Sequence, residues 1–300
     1  MSGDPSWQRC SWHPPARAVT ASGSWVEGGG MPIAVADGHG CWMVIVTGRD
    51  ERGRGHLLLG RMEGRHWPES LADSWRVVMA PGPPGAFDES GVVASDIRVL
   101  DDGFEVLFHG YRLRSGGGWW NAIGHARLDG DGYVRDRSAA PIIGLSAACP
   151  ISVAYGSWDP DRPSDIWFNS AEGLDPETAL PRRYVVRRLV DECVVAVDVD
   201  MPGDVFALTR PVVASLDGKR RLLFCMRGPE YIVGSLELDS SSSPTGTITP
   251  FPPLGRGGEV HATAYPYVVR GPADPFLLYS GDGYGRTGFG VARWTSLTER

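Results

Sequence analysis

The chain has 300 residues, 42% of them hydrophobic, which is enough for a sizeable core in one large or two ordinary domains. A net charge of −7 argues against a nucleic-acid partner, and no apolar run reaches the roughly 18 residues of a membrane span. Forty glycines and 24 prolines mark a turn-rich, helix-poor chain, and five scattered cysteines (Cys10, Cys41, Cys149, Cys193, Cys225) without a CxxC pair indicate neither a disulfide framework nor a zinc site.

The first residues, MSGDPSWQRCSWHPPARAV, hold no apolar segment of the secretory type, so a cytoplasmic location is expected and residues 1–15 read as an extended tail. ARAVTASGSW (16–25) reads as a strand. A unit then begins: the apolar strand MPIAVAD, the aromatic-rich WMVIVTGRD (42–50), HLLLGRM, and WRVVMAP (75–81). The pattern returns as SGVVASDIRVL, FEVLFHGYR (104–112), NAIGHARL and GYVRDRSA (132–139). It returns again as CPISVAYG, DIWFNSAEG (165–173), RYVVRRLV and ECVVAVDV (192–199). A fourth copy is RPVVASL, RLLFCMRG (221–228), YIVGSLEL and GTITPF (246–251). A fifth is YPYVVRG, PFLLYSGDG (275–283) and TGFGVARW, with no room for a fourth strand before Arg300.

Pro32, Val92, Pro150, Pro211 and Pro266 mark the units, about 55 to 61 residues apart, and proline is tolerated at a strand's first residue. No segment of ten or more residues carries a helical period. Four antiparallel strands repeated five times predict an all-β fold, a five-bladed β-propeller spanning 1–300 as one domain. An N-terminal strand, expected at 16–25, would complete the fifth blade and close the ring.

GDGYGRTGFGVARW (281–294) contains the dinucleotide spacing GxGxxG. That fingerprint needs a helix after it and an acid about 20 residues on, whereas FGVARW reads as a strand and the chain stops twelve residues after Gly288. The phosphate-loop reading also fails, because Ser280 stands where its first glycine belongs. The glycines are expected to make a tight turn in the last blade.

The stretch YPYVV…FLLYSGDGYGRTGFGVA resembles the last-blade signature of the five-bladed propellers of the glycoside hydrolase superfamily, which includes arabinanases, β-xylosidases and invertases. GAFDESGV (85–92) with NAIGHA (121–126), TGRDERGR (47–54), and RPVV with CMRG (225–228) are similar to other parts of that pattern. The resemblance runs from about residue 28 to 294. It implies a central pocket, lined by the residues that open the first strand of each blade and those that close the second, acting on a sugar or sugar-like small molecule by general acid/base chemistry. The candidate catalytic residues are Asp88, Glu89, Glu259 and His261. The candidate substrate-binding residues are Glu27, Arg49, Asp50, Tyr111, Arg210, Arg227, Tyr265 and Asp282. Three arginines around one mouth suit a phosphate or carboxylate on the ligand.

The sequence departs from the pattern. Gly30-Met31 stands where an aspartate is usual, His261 where a glutamate is usual, and Asp282 where an asparagine is usual. An altered carboxylate set is therefore expected, with His261 suited to altered proton chemistry. A non-hydrolytic cyclase, lyase or isomerase, or a binding module, stands beside the glycosidase-like reading. His109 and His125 alone make a weak metal site, so no metal and no cofactor are expected. The expected partner is a small-molecule substrate, with no nucleic acid and no membrane; the sequence sets no oligomeric state.

Overall fold

A computed structural model describes residues 6–36, 41–63, 74–114, 118–254, 262–269 and 275–295. The chain opens with β1 (Ser6–His13) and β2 (Ala16–Val19). The first meander follows as β3 (Trp25–Ala36), β4 (Cys41–Asp50), β5 (Gly55–Glu63) and β6 (Trp75–Met79), with β2 pairing the outer end of β3. The second is β7 (Gly91–Leu100), β8 (Gly103–Leu113), β9 (Trp119–Asp129) and β10 (Val134–Arg137). These two join in one nine-stranded sheet through a single parallel pair, Gly55 with Gly91.

Three four-stranded sheets complete the chain. One holds β11 (Val153–Trp158), β12 (Ile166–Leu174), β13 (Pro181–Val190) and β14 (Cys193–Ala196). The next holds β15 (Ala207–Leu216), β16 (Lys219–Arg227), β17 (Tyr231–Leu238) and β18 (Pro244–Pro250). The last holds β19 (Ala264–Val269), β20 (Phe276–Ser280) and β21 (Phe289–Thr295), and its fourth strand is β1. The completing strand is thus N-terminal but lies earlier than expected. Ser6–His13 pairs antiparallel with β21, while 16–19 belongs to the first meander. The reason is visible in the burial. Trp7 is 3% exposed and packs edge-on against Trp294 at 5.1 Å, an apolar anchor that the segment 16–25 lacks at its exposed Trp25.

The middle strands are buried on both faces. Residues 42–48 of β4 and 103–110 of β8 are all buried, which is why WMVIV and FEVLF read as near-continuous apolar runs rather than alternating ones. The first strands of the five meanders touch in cyclic order: β3 with β7, β7 with β11, β11 with β15, β15 with β19, and β19 with β3.

Each of these first strands carries a bulge against its neighbour. The register slips at 30–33 in β3, 94–96 in β7, 154–157 in β11, 209–212 in β15 and 264–267 in β19. In four of them a bulky residue in the slip adopts left-handed backbone: Met31 (φ 47), Tyr155 (φ 56), Arg210 (φ 54) and Tyr265 (φ 55). Such a φ is uncommon away from glycine and persists only where the surroundings impose it, and bulges re-aim side chains. Here the surroundings are visible. The Met31 N–H donates to Ser280 Oγ at 2.8 Å, the Ala94 N–H to Thr47 Oγ1 at 3.0 Å, and the Arg210 N–H to Asn169 Oδ1 at 2.6 Å. Each acceptor lies on the second strand of the preceding meander, so a polar side chain satisfies the backbone that the bulge frees, and successive sheets are linked in the process.

Candidate functional site

Four of the five first strands reach a cavity of about 200 Å³. Met31, Val93, Tyr155 and Tyr265 reach it from β3, β7, β11 and β19, three of them from the left-handed bulge position. His109 and Tyr111 come from β8, Trp119 and Asn121 from β9, and Tyr184 from β13. Arg49 and Arg227 come from the ends of β4 and β16.

Tyr284 completes the rim. It sits in the turn between β20 and β21, where Gly283, Tyr284 and Gly285 are left-handed in succession (φ 59, 62 and 82). A Cβ on Gly285 would lie 2.3 Å from the Gly30 nitrogen, and one on Gly30 would lie 2.4 Å from the Tyr284 carbonyl oxygen. Glycine is thus required on both sides of a close backbone approach. The GDGYGRTG stretch is this turn, as expected. The turn carries the Tyr284 ring onto Tyr265, with centroids 5.7 Å apart.

The aromatic series continues inward. Tyr265 lies 5.5 Å from Tyr155, and Tyr155 meets His109 edge-on at 4.6 Å. Tyr231 stands edge-on to Tyr265 at 6.3 Å, and its hydroxyl accepts from Arg227 Nε at 2.9 Å. Burial raises the Tyr155 and Tyr265 hydroxyls above the ordinary tyrosine range, so both stay protonated donors. Burial, followed by the charges of Arg210 and Arg49, pushes His109 down to about 3, so its imidazole is neutral at pH 7. On the opposite wall Asn121 Nδ2 donates to Ser152 Oγ at 2.9 Å, and Ser152 meets the Tyr184 hydroxyl at 3.1 Å.

Of the residues singled out from the sequence, Arg49, Tyr111, Arg227 and Tyr265 line the cavity. Arg49 Nη1 donates to the Gly53 carbonyl at 2.8 Å and the Tyr111 hydroxyl at 3.4 Å, and the Tyr111 hydroxyl accepts the Gly55 N–H at 2.9 Å. Arg210 is fully enclosed beside His109 and Tyr155 and does not line the cavity.

The acids lie elsewhere. Asp88 is buried but ion-paired with Arg137 on β10, the outermost strand of its meander. Glu89 accepts from the Gly85 N–H at 2.6 Å and pairs with Arg112 at 3.0 Å; these contacts hold its carboxyl below the usual range. Asp50 is buried, which raises a carboxyl. The N–H groups of Arg52 and Arg54, His56 and the Arg54 guanidinium outweigh that and hold it low. Glu27 is exposed and pairs with Arg17 at 3.0 Å. Asp282 accepts the Ala262 N–H at 2.8 Å. None of these five is a lining residue, and each has a partner that accounts for it. Glu259 and His261 lie outside the described residues. The sequence reading missed Asn121, Tyr155, Tyr184 and Tyr284 as cavity residues, and weighed His109 only as a metal ligand. Tyr155 had a signal, since it occupies in its unit the place of Tyr265 before Pro266. Tyr284 stood inside a motif weighed only for its glycines.

No family model matches the chain. Two proteins of Mycobacterium tuberculosis, from strains CDC 1551 / Oshkosh and ATCC 25618 / H37Rv and both described as uncharacterized, are 27% identical over 310 residues, covering 97% of this chain and 95% of theirs. Among solved structures, an α-L-arabinofuranosidase from Lactobacillus brevis superposes with a TM-score of 0.63 at 11% identity, over 89% of this chain and 90% of that one. An α-L-arabinofuranosidase from Podospora anserina, solved in complex with cellotriose, gives 0.62 at 12% identity over 99% of each chain. A thermostable family-43 glycoside hydrolase gives 0.58 at 12% identity, over 89% and 88%. The chain is all-β and shares the fold of these glycoside hydrolases.

Within that glycoside hydrolase fold the described lining of the cavity contains two arginines, five tyrosines, a histidine and an asparagine, and no aspartate or glutamate. Among the described residues no group of three or more His, Cys, Asp or Glu could hold a metal ion, and no helix is long and apolar enough to cross a membrane.

Proposed function

We propose that the chain is a single five-bladed β-propeller, completed by Ser6–His13, whose axial cavity takes a small sugar-like molecule bearing a carboxylate or phosphate. The cyclic contact of the five first strands and the pairing of β1 with β21 support the blade count and closure. One observation carries the ligand class. Arg49 and Arg227 face the cavity, Arg210 lies beside it, and none of the three has an ion-pair partner among the described residues. Guanidinium forks pair with carboxylate and phosphate oxygens, and tyrosine faces and hydroxyls suit a ring that carries hydroxyl groups. General acid/base work falls to His261 and Glu259, because Asp88 and Glu89 are held by Arg137 and Arg112.

Calorimetry with a uronic acid, a sugar phosphate and the neutral parent sugars tests the ligand class. The charged sugars bind, and Arg227→Met weakens them by roughly 10- to 100-fold, the loss of one charge-assisted contact. Equal binding of neutral and charged sugars, unaffected by Arg227→Met, contradicts the reading.

A second reading, a non-hydrolytic cyclase, lyase or isomerase, is favoured by the lack of aspartate and glutamate among the described lining residues, since hydrolysis of glycosides uses a carboxylate pair. Aryl glycosides then release no reducing sugar, and His261→Ala abolishes conversion of a charged metabolite without lowering Tm. Release of reducing sugar that is lost in Asp88→Asn sinks this second reading.

A further inference from the structure

The wall opposite the tyrosine series holds three polar side chains drawn from two successive sheets. Asn121 stands on β9 across from Tyr111, Ser152 directly precedes β11, and Tyr184 stands on β13 across from Ala171. They are 5%, 0% and 5% exposed. Buried polar groups are hydrogen-bonded in natural folds, so each proton and lone pair here can be traced.

A hydroxyl has one proton and two lone pairs. The Ser152 hydroxyl oxygen accepts twice from Asn121, from Nδ2 at 2.9 Å and from the backbone N–H at 3.3 Å. Both lone pairs are taken, and its remaining partner is the Tyr184 hydroxyl at 3.1 Å. The Ser152 proton therefore goes to the Tyr184 oxygen. Asn121 Nδ2 also donates toward that oxygen, at 3.5 Å. The Tyr184 oxygen is thus an acceptor on its buried side, and its own proton has no acceptor among the described residues. Tyr184 lines the cavity, whereas Ser152 stands behind it. Burial raises the Tyr184 hydroxyl above the ordinary tyrosine range, outweighing the Ser152 hydrogen bond and the Arg227 charge, so the proton stays in place at pH 7.

A tie between sheets needs less than this. Thr47 and Ser280 link successive sheets by accepting one backbone N–H each, and neither lines the cavity. Here the line of donors runs past the sheets and ends on a cavity residue. We propose that Tyr184 is a ligand-contacting donor, giving its hydroxyl proton to a carboxylate, phosphoryl or carbonyl oxygen of the bound molecule, with Asn121 and Ser152 as positioning residues that fix that direction. A group that can only donate, such as an ammonium, finds no partner at this point of the wall. The proposal rests on the reading of the cavity as a binding site.

A neutron structure of the deuterium-exchanged protein reads the direction without a ligand. Deuterium on Ser152 aimed at Tyr184, and deuterium on Tyr184 aimed into the cavity, are expected. A Tyr184 deuterium aimed at Ser152 overturns the proposal. Calorimetry with a sugar phosphate reads the contact. Tyr184→Phe weakens binding by roughly 10- to 100-fold, as for one hydrogen bond to a charged group. Ser152→Ala weakens it by less, Ser152→Thr keeps native affinity, and Tyr184→Phe/Ser152→Ala binds no worse than Tyr184→Phe alone, because Ser152 acts through Tyr184. Losses that simply multiply in the double variant overturn the positioning role. Native affinity in Tyr184→Phe, with Arg227→Met still weakened, overturns this proposal and leaves the anion-bearing ligand class standing. Weakened binding in Tyr184→Phe, with Arg227→Met at native affinity, supports the Tyr184 contact and sinks that ligand class. Where Tyr184→Phe fails to fold, or the native protein binds no sugar phosphate, the neutron map decides.

Discussion

Asp88→Ala separates a structural acid from a catalytic one. The Asp88 side chain is 3% exposed and ion-paired with Arg137, whose side chain is 24% exposed and also donates to the Ala80 carbonyl at 2.8 Å. Removing one partner of a buried pair costs about 3–5 kcal/mol, chiefly because the other charge is left uncompensated. Arg137 is a quarter exposed and keeps one carbonyl, so the low end applies, about 3 kcal/mol. For a chain of this size that lowers Tm by roughly 5–10 °C. In the double variant Asp88→Ala/Arg137→Ala the loss is smaller than the sum of the single losses, because no orphaned charge remains. Binding of a charged sugar in the cavity, measured by calorimetry below the variant's Tm, is unchanged. Scanning calorimetry and the double-mutant cycle give the stability terms. An Asp88→Ala protein with native Tm and abolished binding or turnover refutes the reasoning and returns Asp88 to the chemistry.

Other perturbations test the fold and its titration. Trp7→Ala removes the anchor of β1 and costs about 3–5 kcal/mol in denaturant unfolding; a loss under about 1 kcal/mol means that the last sheet does not depend on the N-terminal strand. Asn169→Ala leaves the buried Arg210 N–H and Leu208 carbonyl unpaired, for a loss of about 2–5 kcal/mol, whereas Asn169→Asp, which keeps the acceptor but not the donor, loses less. Burial holds His109 at about 3 and His13 at about 4 in the folded chain, against about 6.5 unfolded. Both are depressed, so their neutral forms stabilise fully above pH 6.5, and stability falls as pH drops from there toward the folded values. At pH 5 each has lost about 2 kcal/mol. Urea titrations between pH 7 and pH 5 measure this, and a flat profile over that window contradicts the burial of both imidazoles.

The fold was legible because its signal repeats. Strands such as YIVGSLEL and WRVVM are short, apolar and bounded by turns, and they recur at a nearly constant step, so five weak local signals reinforce one another. The bulges were marked by prolines in three units, since Pro32, Pro211 and Pro266 each follow a left-handed residue. In the other two units the slip falls at Ser95 and Tyr155, a few residues beyond Val92 and Pro150. The closing strand was misplaced because SWQRCSWH does not alternate cleanly; its edge position leaves one side open, and only Trp7 and His13 are fully buried.

The site was legible in its charges and opaque in its acids. Arg49 and Arg227 close second strands, and position alone sends them to the mouth. Asp88 and Asp50 also stand beside strand ends, but whether a carboxylate faces the axis depends on the partner that the fold gives it, Arg137 far along the chain for one and His56 across the next turn for the other. Tyr284 illustrates the converse. A glycine-flanked tyrosine looks like loop sequence until the left-handed turn carries its ring over Tyr265.

The central claim is a cavity that receives an anion-bearing sugar-like molecule between arginines and tyrosines. A crystal structure of the protein soaked with a sugar phosphate tests it most directly. The claim predicts the phosphate on Arg49 or Arg227 and the sugar ring against Tyr265 or Tyr155. A sugar phosphate bound with its ring against Asp88 or Glu89, and with both arginines untouched, contradicts it.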